Sequence, residues 1–152
     1  MSRNIDDIAT GDFSFPEAGK HGCRCMGWKK VLAKNSGNSG IELRWATHDG
    51  ESSFTDTLWL TPKAIGRLAL VAKKLCSGAR ELELDDDDSK AIWQLAELIE
   101  ETIEGVNAIV EIVAYKETFI HESGDKIGQK ETRDKKRVAF AGYERDEAED
   151  IF

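Results

Sequence analysis

The stretch that decides the fold is Ile41-Glu-Leu-Arg-Trp-Ala-Thr-His-Asp-Gly-Glu-Ser-Ser-Phe-Thr-Asp-Thr-Leu-Trp-Leu60. Apolar and polar residues alternate from Ile41 to Thr47, which is the pattern of a half-buried strand. Asp49-Gly50 is a typical hairpin dipeptide, and a second strand follows it from about residue 52 to Leu60. The stretch therefore predicts an antiparallel hairpin.

A further strand is predicted just before this hairpin, in Gly22-Cys-Arg-Cys-Met-Gly-Trp-Lys-Lys-Val-Leu-Ala33. Gly27 inside it indicates a bulge or a sharply curved segment. Strict alternation would place a mainly basic and aromatic set on one face: Arg24, Met26, Trp28, Lys30 and Leu32. The turn at 35–40, rich in Asn and Gly, joins this strand to the hairpin, so three strands form a meander.

Two helices and two more strands are predicted after Leu60. Thr61-Pro62 has the chemistry of an N-cap followed by proline at the first helical position, and apolar residues recur at helical spacing up to Cys76. The acidic run Asp85–Asp88 precedes a second amphipathic helix that ends near Gly105. The β-branched stretch 106–116 and the stretch 135–143 predict the last two strands, and 117–134 predicts a long hairpin arm or loop.

This order of elements predicts an α+β, mainly β fold. We expect a five-stranded Greek-key barrel of the OB type with a two-helix insertion between strands 3 and 4. The chain has 152 residues, enough for one domain with a sizeable core. We predict an N-terminal arm at 1–18, the OB-fold domain at 19–143 and an acidic C-terminal tail at 144–152.

Charge is segregated along the chain, although the formal net charge is −8. The stretch from Ala18 to Ile41 carries five basic residues and no acid, and Lys126–Arg137 is also mainly basic. Because phosphate binding depends on the local field, an acidic protein can still carry one basic face. The chain shows no apolar run of membrane-spanning length and no secretory signal at Met1. Its three cysteines indicate reduced thiols, so we expect a cytoplasmic protein.

No catalytic constellation is evident, so we predict that the protein is not an enzyme and has no cofactor. The histidines lie in three separate segments, and neither a nucleophile elbow nor a phosphate-binding glycine loop is present. Cys23 and Cys25, with His21 and Cys76, are an alternative zinc set, but the C-x-C spacing favours buried thiols. The acids at 85–88 lack the spacing of an EF-hand and favour a solvated linker over a hydrolase or nuclease centre.

Aromatic residues adjacent to basic ones on predicted strands are the remaining signal. Single-stranded nucleic acid requires cations for its phosphates and flat rings for its bases. The competing interpretation is that the rings belong to the core and the lysines to solvated edges. Trp45 is expected in the core. Trp28 is the first candidate for a ring that stacks on a base. The candidate DNA-binding residues are Trp28, Lys29, Lys30, Lys34, Arg44, Trp59, Tyr115, Lys135, Lys136 and Arg137.

Four short motifs resemble a family of small phage proteins encoded near recombination and replication genes: Trp28-Lys-Lys-Val-Leu, Lys34-Asn-Ser-Gly-Asn followed by Ile41-Glu-Leu-Arg-Trp, Leu60-Thr-Pro-Lys-Ala-Ile, and Arg137-Val-Ala-Phe-Ala-Gly-Tyr. Members of that family are taken to be OB-fold single-stranded DNA-binding proteins. The resemblance implies sequence-nonspecific binding of single-stranded DNA in phage DNA replication, recombination and repair. It also implies a location in the bacterial host cytoplasm. We expect no membrane partner, and a homodimer stays an open alternative.

The acidic tail is similar to the Phe-terminated peptide of bacterial and phage single-stranded DNA-binding proteins, which recruits replication and repair partners. The resemblance implies that the partner-binding residues are Asp146, Glu147, Glu149, Asp150, Ile151 and Phe152. Ile151 stands where those peptides have proline, and the long linker that usually precedes the peptide is missing. An alternative function is a protein-interaction module or nucleic-acid mimic that inhibits or adapts a host enzyme, which the net charge favours.

Overall fold

A computed structural model describes residues 15–122, 124–125 and 127–146 of the chain. These residues form five strands and two α-helices, with short 3₁₀ turns at Pro62–Ala64 and Ala79–Glu81. The elements in chain order are β1 (Gly19–Leu32), β2 (Ser39–Thr47), β3 (Ser53–Trp59), α1 (Ile65–Leu75), α2 (Asp88–Thr102), β4 (Asn107–Ile120) and β5 (Lys130–Arg145). The mainly β, α+β class and the helical insertion between strands 3 and 4 are thereby confirmed.

All five strands belong to one antiparallel sheet in the order β3-β2-β1-β4-β5. β1 lies at the centre because it pairs with β2 along its second half and with β4 along its first half. The β4–β5 hairpin continues into the segment 117–134, where a hairpin arm was one of the two predicted alternatives, and extends beyond β1, whose pairing with β4 ends at Ile112. Tyr115–Ile120 and Lys130–Lys135 therefore form a two-stranded arm.

The sheet is not closed into a barrel. Within residues 15–146, apart from positions 123 and 126, β3 and β5 are the two edges and share no backbone ladder. Helix α1 packs against both of these strands. The order of elements predicted a Greek-key barrel, and a barrel closed by a β3–β5 ladder is not observed, because α1 packs against both edge strands instead.

The predicted bulge in β1 is present and changes the side of the sheet on which later residues lie. The register shifts between Cys25 and Gly27, and Gly27 has a φ of 146°, which an L side chain rarely adopts. Cys25 pairs with Trp45 on the core side, and after the shift Trp28 pairs with Leu43 on that same side. Strict alternation from Arg24 to Leu32 was therefore the wrong prediction, because one extra residue exchanges the two faces.

The helices begin and end close to where the sequence predicts. Pro62 opens a 3₁₀ turn that leads into α1, although the Thr61 side chain makes no capping hydrogen bond. The Asp87 carboxylate accepts a hydrogen bond of 3.1 Å from the Ser89 amide and caps α2. Both helices bury one apolar stripe in the core, and the buried side chains of the two stripes are Leu68, Val71, Ala72, Leu75, Ala91, Ile92, Leu95, Ala96 and Ile99.

A partly buried polar network connects β3, α1 and β5 across the open side of the sheet. The Trp45 indole N–H donates to the Tyr143 hydroxyl at 3.1 Å, and that hydroxyl donates to Asp56 Oδ2 at 2.5 Å. The Arg67 guanidinium of α1 donates two hydrogen bonds to the same carboxylate, of 3.1 and 2.6 Å. Arg67 also donates to the Phe140 carbonyl of β5 at 3.4 Å. Side chains therefore hold together the two strands that no ladder joins.

Replacing Asp56 with alanine should lower the free energy of unfolding by about 1–3 kcal/mol, because the half-buried Arg67 and the buried Tyr143 hydroxyl both lose a hydrogen-bond partner. Urea unfolding followed by circular dichroism measures this change. Glu101→Ala removes an exposed carboxylate from α2 and should leave the midpoint almost unchanged. Equal midpoints for the two variants would show that the network does not hold the edges together.

The three cysteines are buried free thiols, as predicted. Burial raises the pKa of Cys23 to about 12 and the pKa of Cys25 to about 11. An unfolded thiol titrates near pH 8.5, so the thiols ionise first in the unfolded state. Their stabilising contribution is therefore complete below about pH 8.5 and is lost as the pH rises toward the folded values.

Stability should consequently fall as the pH is raised from 8.5 to 10, and less steeply in a Cys23→Ala/Cys25→Ala variant. Urea midpoints measured at several pH values test this expectation. If the urea midpoint depended on pH identically in the two proteins, the thiols would not be the origin of the lost stability.

Candidate nucleic-acid interface

One face of the sheet is turned away from the helices, and we call it the outer face. Residues paired across neighbouring strands lie on the same face, so the register assigns each side chain to one side. The core residues Cys25, Trp45 and Phe54 define the inner face. The outer face then carries the cations Lys20, Arg24, Lys29, Arg44, Arg133, Lys135 and Arg137, together with the acids Glu42, Glu111, Glu117, Glu131 and Glu144.

A groove of about 510 Å³ opens on this face at the β1 bulge, and we call it the β1–β2 groove. Lys29, Arg44 and Trp28, three of the predicted DNA-binding residues, contribute to its lining. The Lys29 ammonium lies 3.6 Å from a Glu42 carboxylate oxygen. The complete lining is Met26, Gly27, Trp28, Lys29, Glu42, Arg44 and Glu104.

Trp59 lies at the end of the same face, with its ring over Gly40. Gly40 pairs with Trp59 on β3 and with Val31 on β1. A Cβ atom at position 40 would lie only 2.8 Å from Trp59 Cε3, so the glycine allows the indole to approach the backbone of β2. Trp59 is 37% exposed, which leaves part of its ring open to a ligand.

Trp28 and Lys30 lie toward the helices, because the bulge places them on the inner side. The Trp28 indole N–H donates to the Glu100 carbonyl at 3.0 Å, and 37% of the side chain is exposed. The Lys30 ammonium lies 3.4 Å from Glu100 Oε1 and 5.0 Å from the centre of the Trp93 ring. The prediction that Trp28 and Lys30 share one basic face with Arg24 is therefore wrong, because Arg24 lies on the outer face.

The richest alternation of rings and charges lies on the outer side of the arm, which we call the arm strip. It consists of Arg137, Tyr115, Lys135, Glu117, Arg133, Phe119, Glu131 and His121. The Arg137 guanidinium lies 5.1 Å from the Tyr115 ring centre, and the Arg133 guanidinium lies 4.3 Å from that of Phe119. Glu117 accepts a hydrogen bond from Lys135 at 2.6 Å, and Glu131 contacts His121 at 2.6 Å. The strip thus presents two rings, each covered by an arginine.

The remaining predicted residues are distributed as follows. Lys34 is exposed in the turn between β1 and β2, and Lys136 pairs with Ala114 on the other face of the arm. Asp146 follows β5, and its amide donates to the Asn107 carbonyl at 3.1 Å. Glu147, Glu149, Asp150, Ile151 and Phe152, predicted to bind partners, lie outside the described residues.

Four outer-face residues were missed from the sequence: Lys20, Arg24, Phe119 and Arg133. Phe119 shares the alternation of Tyr115 and Glu117, and Arg133 shares that of Lys135 and Arg137. This alternation was readable in the sequence, but the segment 117–134 was predicted as a long hairpin arm or loop without assigning its residues to a face. Lys20 required the register with β4, which the sequence does not reveal. Arg24 was assigned to a basic face by alternation but was not included among the candidate DNA-binding residues.

Acidic side chains cluster on the opposite, helical side of the sheet. Asp86, Asp88, Glu97 and Glu101 are exposed there. The described ranges contain no group of three His, Cys, Asp or Glu side chains suited to a metal ion. They also contain no helix that is both long and apolar enough to cross a membrane.

Comparison with known proteins gives no further assignment: no protein-family model matches the chain, and no curated protein is significantly similar to it. The geometry described above is therefore the basis on which a function is proposed.

Replacing Gly40 with alanine should displace the Trp59 ring and lower stability, because the new methyl group would occupy the space of the indole edge. Near-ultraviolet circular dichroism and urea unfolding measure both effects. Gly66→Ala on α1 is the matched control, since nothing lies within 4 Å of its added Cβ. That control should be more stable by about 0.5–1 kcal/mol, and equal behaviour of the two variants would contradict the Trp59 placement.

Proposed function

We propose that this protein binds single-stranded DNA without strong sequence preference and acts in phage DNA replication or recombination. The observation that carries the proposal is the arm strip, where aromatic rings and cations alternate on an exposed two-stranded arm. Trp59 and the cations of the β1–β2 groove continue this chemistry on the same outer face. Single-stranded nucleic acid requires this combination, because its bases stack on rings while its phosphates pair with Lys and Arg.

The proposed binding mode follows from the distances in the strip. Arg133 and Arg137 already lie within 6 Å of the Phe119 and Tyr115 ring centres, a distance at which cation–π attraction is favourable. An incoming base stacks on a ring, while the arginine above that ring turns to an adjacent phosphate. Lys29 and Arg44 hold the backbone farther along the outer face.

The described topology supports an OB-type assignment as part of this proposal. Strand β1 pairs with both β2 and β4, and the helices lie between β3 and β4, which is the connectivity expected of a partly open five-stranded barrel. The network of Asp56, Arg67 and Tyr143 spans the gap between β3 and β5. In this proposal, the outer face of β1, β2 and β3 and the arm together form the DNA-binding surface.

The acidic segment from Asp146 to Phe152 is proposed to recruit replication or recombination proteins. Its composition supports this role, since carboxylates adjacent to two large apolar residues form a peptide that pairs with basic pockets. Asp146 fixes the start of the segment beside β4 through its hydrogen bond to Asn107. The segment therefore leaves the domain at a defined point.

A second candidate function is a protein-interaction module that imitates nucleic acid, and the exposed acids along α2 favour it. A mimic would use the helical side, whereas a DNA-binding protein would use the outer face. The two functions therefore predict different sensitive residues, and one set of variants distinguishes them.

Replacing Arg133 and Arg137 together with alanine should weaken binding of oligo-dT, because two phosphate contacts and two ring-covering cations are lost. The logarithm of the association constant falls linearly with the logarithm of the salt concentration, and this negative slope should become shallower by roughly 0.7 for each phosphate contact removed. Fluorescence anisotropy of labelled oligo-dT, titrated at several salt concentrations, measures both quantities.

The matched control is Lys63→Ala/Lys90→Ala, which removes the same number of positive charges from exposed positions in the 3₁₀ turn before α1 and in α2. This control should bind oligo-dT as the unaltered protein does. Binding that is undetectable in the unaltered protein, or insensitive to salt, would reject the DNA proposal and leave the mimic as the better candidate.

A further inference from the structure

A second groove of about 230 Å³ lies between the two helices, on the side of the molecule away from the arm strip, and we call it the α1–α2 groove. Its floor is apolar and is formed by both helices and the segment between them. Leu84, at its margin, is 42% exposed. The complete lining is Ala69, Ala72, Lys73, Ala79, Arg80, Leu82, Leu84, Leu95 and Leu98.

The only ionised side chains among the described residues that line this groove are Lys73 and Arg80. Neither of them forms an ion pair with another residue of the described ranges. An apolar groove with two unpaired cations at its rim is complementary to a peptide that combines large apolar side chains with carboxylates.

The chain itself contains such a peptide directly after β5, in Glu147-Ala-Glu-Asp-Ile-Phe152. The end of β5 lies beside the end of α1, because Arg145 Nη1 donates to the Leu75 carbonyl at 3.2 Å. Ala72, which lines the groove, is one helical turn before Leu75, a rise of about 4.5 Å. The six residues after Asp146 can span up to about 20 Å when extended. Ile151 and Phe152 are therefore within reach of the groove.

We propose that residues 147–152 occupy the α1–α2 groove of their own chain. Ile151 and Phe152 pack on the leucines of the groove, and the carboxylates of the segment pair with Lys73 and Arg80. The groove is on the helical side, so a docked segment leaves the outer face uncovered. A partner protein that binds the segment must first displace it from the groove. The apparent affinity for that partner is therefore lower than it would be for the free segment. This inference does not depend on DNA binding.

Disulfide trapping in the full-length chain tests the inference. A variant with Asp150→Cys and Arg80→Cys should form an intrachain disulfide under mild oxidation. The matched variant has Asp150→Cys and Thr55→Cys, which places the second thiol on the outer face opposite Arg44. The native thiols do not compete, because burial suppresses their ionisation and access.

The groove pair should close at least roughly tenfold faster than the outer-face pair, because docking raises the effective concentration of one thiol near the other. Nonreducing electrophoresis and mass spectrometry at low protein concentration measure the two rates. Equal rates, faster closure of the outer-face pair, or a covalent dimer in place of the intrachain product would overturn the proposal.

A second measurement needs no cysteine and covers the event that the cysteine variants fail to fold. The methyl resonances of Leu95 and Leu98 are compared between the unaltered chain and an Ile151→Asp/Phe152→Asp variant. These resonances should move, while those of Val31 on the outer face should not. Unchanged groove methyls, or methyls that respond instead to Ile5→Asp/Ile8→Asp in the N-terminal arm, would show that residues 147–152 are not the occupant.

Discussion

The carboxylate of Asp56 is the group that connects the two unpaired edges of the sheet, and the rest of the fold depends on it. It accepts hydrogen bonds from Arg67 on α1 and from Tyr143 on β5, while itself belonging to β3. Burial, and then the nearby negative charge of Asp56, raise the pKa of Tyr143 well above its ordinary value, so the hydroxyl stays protonated as a donor. The two edge strands share no ladder. They are held together by the side chains of Trp45, Asp56, Arg67 and Tyr143 and by the packing of α1.

The bulge at Gly27 has the largest consequence for the surface. Before it, Arg24 lies on the outer face, and after it, Trp28 and Lys30 lie toward α2. The bulge thus removes one ring and one cation from the outer face and opens the β1–β2 groove beside them. The outer face retains Lys29, Arg44 and Trp59, and the exposed alternation of rings and charges continues on the arm.

The separation of charge between the two sides explains how an acidic chain can carry a surface suited to phosphates. The exposed acids of α2 and the linker before it face away from the outer face, where cations and acids are interspersed. The field near the arm strip is therefore set by Arg133, Lys135 and Arg137 more than by the net charge. On the helical side, the cations Lys73 and Arg80 lie at the apolar α1–α2 groove.

Local chemistry in the sequence determined the elements themselves: alternation defined β2 and β3, the Asp49-Gly50 turn joined them, and apolar stripes defined both helices. It also placed Trp45 and the thiols in the core. Only the tertiary structure decided which face of the sheet the β1 residues after Gly27 take. It also decided how far the arm extends and which residues Lys30 contacts. Each of them depends on pairing between distant segments, because a bulge fixes which face a residue takes only once the neighbouring strand is in register.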